Sequence, residues 1–282
     1  MHKFTIGGVP EYFNLPILNA IATGDLEKAD IKLRWETVKE GTGAMSKMLH
    51  DGDLDIAMIL LEGATKSILD GQRIKIIKDY VSSPLTWGVH TSPFVNSVDE
   101  LYARRVGISR YGSGSHMMAF LMAEQYGWPK ESLEFVVINN LDGAIDAFAK
   151  QEIDIFLWEK FTTKPFVDAG QMNRIDTVAT PWPCFVLAAN ARTMAAYSKE
   201  VKKICQLINH QASVLMSDKS LSELISKDYG LTSDDSKLIT QEVKWSTATE
   251  VDETAIQKVM DTYRELKVIK STQDTKSLIA LV

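Results

Sequence analysis

Two stretches of this chain repeat one order of apolar and polar positions. In the first, residues 4–8 form a short apolar run that reads as a strand, Glu11-Tyr12-Phe13-Asn14 a loop, and residues 15–22 a helix stopped by Gly24. Residues 31–36 alternate apolar and polar as a half-buried strand does, and residues 39–43 read as loop. Residues 44–50 keep a helical period, and "DLDIAMIL" is a strand that reaches Leu61-Glu62. The second stretch runs through a strand at 105–109, a loop at 110–114 and a helix at 115–126, stopped by Gly127 with Pro129 beyond. A strand at 133–138, a loop at 139–142, a helix at 144–150 and the strand "EIDIFLW", reaching Trp158-Glu159, complete it. The sharpest correspondence sets "GAMSKMLHDGDLDIAMILLE" against "GAIDAFAKQEIDIFLWE". Residues 4–62 and 105–159 therefore read as two copies of one five-element unit.

Strand alternating with helix implies βαβ units, right-handed crossovers and a mostly parallel sheet in each copy. The expected fold is α/β: two βαβ Rossmann-like lobes joined by two crossing strands, with a ligand cleft between them. The cleft follows because ligands of open α/β sheets bind beyond the carboxyl ends of the strands. "SPLTWGVHT" (83–91) and "ATPWPCFVLAAN" (179–190) are the expected connections. Residues 197–217, 219–229, 233–242 and 252–268 read as further helices, with Gly230 as a C-cap. The resulting first lobe is discontinuous, residues 1–88 plus 187–282, and residues 89–186 form an inserted second lobe.

Composition narrows the function more than the fold. With 282 residues, 45% hydrophobic and 24% charged, the chain is an ordinary globular one with enough length for a sizeable core. A net charge of −6 and the absence of any Lys/Arg run argue against a nucleic-acid partner. No apolar segment approaches the roughly 20 residues of a membrane span, so no transmembrane segment is expected. Cys184 and Cys205 lack metal-ligand spacing, and neither metal nor cofactor is expected. Because the strand pattern begins at Lys3, the reading favours a cytoplasmic chain as written; a removed leader would make it periplasmic or lipid-anchored instead. A monomer is expected.

The segments "GTGAMSKMLHDGDLDIA" (41–57), "RRVGISRYGSGSHMMAFLMAEQYGW" (104–128) and "LDGAIDAFAKQEIDIFLWEKF" (141–161) together resemble the type II periplasmic-binding-protein fold. The closer likeness is to its aliphatic-sulfonate, nitrate and thiamine-pyrimidine-precursor branch. That resemblance implies a solute-binding protein whose two lobes close on a small molecule through hinge motion at the connections, with a transporter as partner if the chain is exported. Two departures weaken the enzymes of the same fold. The cysteine-rich iron motif of the fungal thiamine-pyrimidine synthases is missing, and Glu11–Asn14 stands where a related desulfinase carries a cysteine.

The residues at the expected strand ends describe the ligand. "RYGSGSHMM" lacks the third glycine of a dinucleotide fingerprint, the Gly-Lys-Ser/Thr of a phosphate loop and the Gly-x-Ser-x-Gly of a nucleophile elbow. Ser113, Gly114, Ser115 and His116 instead open a helix, where unpaired N–H groups and the dipole receive a polar group. Arg110 adds a bidentate donor, and Thr42 opens another helix. Glu11, Tyr12, Glu62 and Glu159 bring carboxylates that need donors or cations, while Trp87 and Trp158 offer faces for a planar ring. The set fits a small polar ligand, amino-bearing or heterocyclic, thiamine-precursor-like or sulfonate-like. Binding without turnover is preferred; the alternative is an enzyme of heterocycle or cofactor biosynthesis with a cleft carboxylate as general base. Each glutamate alone reads as a solvated rim residue, and Cys184 as a buried residue of the return strand.

Overall fold

The computed structural model describes residues 1–101, 105–270 and 272–280. Arg104, at the head of the quoted stretch 104–128, lies outside the described residues. The chain divides into two compact units: unit 1 is Met1–Ser83 with Trp182–Val282, and unit 2 is Pro84–Pro181.

Unit 1 begins with β1 (His2–Gly8), a single 3-10 turn at Tyr12–Asn14, α1 (Leu15–Ala22), α2 (Asp25–Lys28) and β2 (Ile31–Thr37). It continues with α3 (Thr42–Asp51), β3 (Ile56–Leu60), α4 (Leu61–Leu69) and β4 (Ile74–Val81). Unit 2 holds β5 (Thr86–Thr91), β6 (Arg105–Ile108), α5 (Gly114–Gln125), β7 (Glu134–Val137), α6 (Leu141–Ala149), β8 (Ile155–Glu159), α7 (Lys164–Asp168) and β9 (Asn173–Ala179). The chain then returns to unit 1 as β10 (Phe185–Asn190), α8 (Ala191–Ser217), α9 (Leu221–Tyr229), α10 (Ser233–Glu242), α11 (Glu253–Glu265) and α12 (Thr275–Leu278).

The two sheets have one design. Their strand orders are β2-β1-β3-β10-β4 and β7-β6-β8-β5-β9, so every strand of one has a counterpart in the other. The first three strands are parallel in each, and the fourth, β10 or β5, runs antiparallel. Register repeats as well: Ile6 and Gly7 face Ile56 and Ala57, as Val106 and Gly107 face Ile155 and Phe156.

The repeated aspartate has a physical reason. Asp55 Oδ2 accepts the Thr5 N–H at 2.8 Å, and Asp154 Oδ2 accepts the Arg105 N–H at 2.9 Å. Each side chain extends the ladder just ahead of the strand and so fixes where pairing starts. The glycines of β1 and β6 are equally matched. A Cβ on Gly7 would stand 2.6 Å from Leu54 Cδ1, and one on Gly107 2.9 Å from Ile153 Cδ1. Both leucine-like side chains pack over bare backbone.

Several expectations need correction. Leu61 and Glu62 do not end a strand but form the first turn of α4, because β3 stops at Leu60 and the chain turns at once. Residues 86–91 and 185–190 are ladder members within the two sheets rather than plain connections, since each pairs on both edges. The helix expected from residue 197 starts at Ala191, where Asn190 Oδ1 receives the N–H groups of Arg192 and Thr193; Tyr197 is where the backbone leaves helical geometry. The last long helix ends at Glu265 rather than 268, with Lys267 at φ 55°.

Candidate ligand-binding site

In unit 1 the site builds on the carboxyl ends of β1 and β3. A Cβ on Gly63 would overlap Thr42 Cγ2, so glycine lets α3 and α4 start against one another. Thr42 Oγ1 accepts the Leu60 N–H at 3.2 Å, and the Leu61 N–H goes to the Cys184 carbonyl at 2.9 Å. The next residue is Glu62, 0% exposed. Its Oε2 accepts the Trp182 indole N–H at 3.1 Å, while Oε1 has no partner among the described residues. Burial pushes its carboxyl up to about 7, against the smaller opposing pull of its own backbone N–H and the Trp182 donor. Cys184, fully buried, has its thiol raised far up by burial first and then by the charges of Glu62 and Glu11. Such a thiol is no nucleophile.

The loop after β1 is held from below. Phe13 O accepts the Tyr80 hydroxyl at 2.6 Å and the Trp245 indole N–H at 2.9 Å. Tyr12 is buried, its ring against Phe13 and edge-on to Tyr229. Asn14 donates to the Val9 carbonyl and leaves its buried Oδ1 unpartnered among the described residues.

In unit 2 the loop before α5 is internally bonded. Ser113 caps the helix by accepting the His116 N–H at 3.3 Å, and its hydroxyl lies 3.0 Å from that of Ser115. Ser115 Oγ also accepts the Ser109 N–H at 2.9 Å. The N–H groups of Gly114 and Ser115 belong to the first helical turn, which has no intrahelical acceptors for them. His116 is buried, not solvated: Nδ1 accepts the Gly112 N–H at 3.0 Å, and the ring packs on Tyr111, Phe120 and Phe135. Burial lowers it to about 4, so the imidazole is neutral with its proton on Nε2. Arg110 is exposed.

On the neighbouring strands of the same sheet, Trp87 pairs with Glu159 in the β5–β8 ladder and meets Trp158 edge-on at 6.3 Å. Trp87 is buried, with its indole N–H unpartnered among the described residues. Glu159 is buried rather than solvated, because it accepts the N–H groups of Phe161 and Thr162, the latter at 2.7 Å, and the Thr162 hydroxyl at 2.8 Å.

The structure thus sets Thr42 against Leu60 and Gly63, the residues on either side of Leu61-Glu62, with Glu11 and Glu62 both close enough to act on the Cys184 thiol. In unit 2 it forms two groups, Arg110 to His116 at the start of α5 and Trp87, Trp158 and Glu159 at the end of β8. Asn14 and Trp182 were not among the sequence candidates. The strand-end position of Asn14 was visible, but nothing in "PWPC" signalled that an indole would hold a glutamate. Among the described residues no group of three His, Cys, Asp or Glu could hold a metal ion, and no helix is long and apolar enough to cross a membrane.

A family model described as Ca3427-like PBP matches residues 87–178. The chain is similar to the Candida albicans CA3427 gene product, a structure that exhibits the generic periplasmic binding protein fold. The two are 28% identical with a TM-score of 0.90, over 100% of this chain and 97% of that one. It is also similar to the alkanesulfonate-binding protein SsuA from Xanthomonas axonopodis pv. citri bound to MOPS, with 12% identity, a TM-score of 0.80 and coverage of 99% and 98%. The periplasmic nitrate-binding protein NrtA from Synechocystis PCC 6803 is 13% identical, with a TM-score of 0.72 and coverage of 98% and 84%. No curated protein matches. Two five-stranded α/β sheets of one topology, together with these likenesses, give the chain a periplasmic-binding-protein-like fold of the kind seen in the sulfonate- and nitrate-binding proteins.

Proposed function

We propose that this chain is a solute-binding protein that captures a small polar ligand, amino-bearing or heterocyclic, thiamine-precursor-like or sulfonate-like, by closure of its two lobes. One observation carries the reading: of the six side-chain polar atoms buried without partners among the described residues, three stand at strand ends. Glu62 Oε1 follows β3, Asn14 Oδ1 follows β1, and Trp87 Nε1 sits opposite the last residue of β8. Buried polar groups nearly always find partners, and a solute bound beyond the carboxyl ends of the strands supplies them. Neighbours that bind alkanesulfonate and nitrate support the solute-binding role. Glu11, Tyr12, Thr42, Arg110, Ser113, Gly114, Ser115, His116 and Trp158 are the further candidates for contact, while the Glu159 carboxylate is bonded within its own turn. If the chain is exported, its partner is a transporter.

The test is thermal melting with a panel of alkanesulfonates, nitrate, aminopyrimidines and primary amines, followed by mass analysis of the recovered solute. A binder is stabilised by about 2.7 kcal/mol at a hundredfold excess over Kd, and its solute returns unchanged. Failure of every solute to stabilise the protein overturns the reading. A Glu62 carboxyl held near 7 favours one second reading, general-base catalysis. A changed solute mass, lost in Glu62→Gln, would establish it.

A further inference from the structure

Glu62 is the acid of unit 1 whose surroundings are most completely specified. Its backbone carbonyl accepts the Tyr263 hydroxyl at 3.2 Å, Oε2 accepts the Trp182 indole, and Oε1 alone is unused among the described residues. The titratable neighbours are Tyr263 from α11, Cys184 from the approach to β10, and Glu11 acting on that same thiol. None of them is a cation. On β4, Lys78 spends its ammonium on the carbonyls of Asp79, Ser246 and Ala248, and Tyr80 donates to Phe13. On α3, Lys47 pairs with Asp51, and on α4 itself Lys66 pairs with Asp70. No cationic side chain among the described residues acts on Glu62. An ionised Glu62 therefore lacks a counter-charge within unit 1, and an anion brought to Oε1 would meet like charge.

We propose that Glu62 is a proton-exchange site for a cationic solute: an ammonium N–H donates to Oε1, Trp182 keeps Oε2, and the carboxyl proton leaves to solvent as the cation docks. This rests on the solute-binding reading and narrows it, for it assigns the unit 1 face of the site to an amine and not to a sulfonate or nitrate. No bond other than the O–H is broken, and the solute is released unchanged when the proton returns. Because the carboxyl is fully buried, the groups that cover it, Trp182 among them, must move for the solute to enter.

Isothermal titration calorimetry with propylammonium, in two buffers of different ionisation enthalpy, reads the exchange. At pH 6 the expected result is release of about one proton per cation bound, falling towards zero by pH 8. Affinity should rise about tenfold per pH unit below the Glu62 midpoint near 7 and then level off. Glu62→Gln should abolish both proton release and binding. Trp182→Phe should keep the exchange but move its midpoint upward, because it removes a donor to the ionised form. Binding of propanesulfonate but not propylammonium would overturn the inference while leaving solute binding intact. Propylammonium binding without proton release, or unchanged in Glu62→Gln, would overturn it as well.

Discussion

The two strand ends that hold the candidate acids differ where the two sheets otherwise agree. Ile56 and Ile155 occupy the same register position, so Glu159 is matched by Leu60 and not by Glu62. In unit 2 the acid is the last residue of its strand and folds back on the N–H groups of the turn that follows. In unit 1 the strand ends at the matched residue, Leu60, and the acid lies two residues further on, in the first turn of α4, with a single indole donor. The comparison teaches that a repeated acidic strand end is not a repeated role. Glu159 serves the backbone, whereas Glu62 is left with an acceptor to offer.

The matched core positions should give the largest effects. Leu54→Ala and Ile153→Ala remove side chains that lie over Gly7 and Gly107, and each should cost about 2–5 kcal/mol in urea unfolding. A large cost at only one of them would break the equivalence of the two copies.

The acids themselves sharpen the contrast. Burial pushes the folded Glu62 carboxyl up to about 7 from its ordinary 4.5. The unfolded chain loses its proton first, so the stability contributed by this group is present below about 4.5 and is lost as pH rises to about 7, about 3 kcal/mol in all. Glu62→Gln should remove that dependence and raise stability at pH 8. Glu159→Ala should instead lower stability by about 1–3 kcal/mol at any pH above the carboxylate range, by stranding buried N–H groups.

Unit 2 should answer pH with the opposite sign. His90 is buried with its ring nitrogens on Phe156 O and Thr163 Oγ1, and burial lowers it to about 4. Protons bind the unfolded chain first, so unit 2 loses stability as pH falls from about 6.5 to about 4. Corrected for the intrinsic pH dependence of amide exchange, protection on β8 should fall over that interval, while protection on β3 rises as pH falls from 7 to 4.5. Parallel behaviour of the two strands would contradict the assigned burial. The smallest effects belong to Asp55→Asn and Asp154→Asn, about 0.5–1.5 kcal/mol each in the same unfolding assay, because an amide oxygen still accepts the strand's N–H.

The repeat was legible because its markers are local: apolar period, the glycines that stop α1 and α5, and an aspartate ahead of each third strand. Helix α1 carries the same bounds in the sequence and in the structure. The antiparallel strands were not legible as ladder members, since "TWGVHT" and "FVLAAN" find their partners in distant segments of the chain. The acids were only half legible. The pattern placed both acids near strand ends, but β3 stops at Leu60 and Glu62 belongs to α4, whose start packs against Thr42 from a distant part of the sequence. His116 was readable as part of a helix start, whereas its burial under Phe120 and Phe135 required the fold.

Native mass spectrometry of freshly purified protein tests the central claim most directly, by comparing the intact chain with Glu62→Gln and Glu159→Gln. The account predicts a bound small molecule on the intact chain and on Glu159→Gln, and its loss from Glu62→Gln. Retention by Glu62→Gln with loss from Glu159→Gln would contradict it.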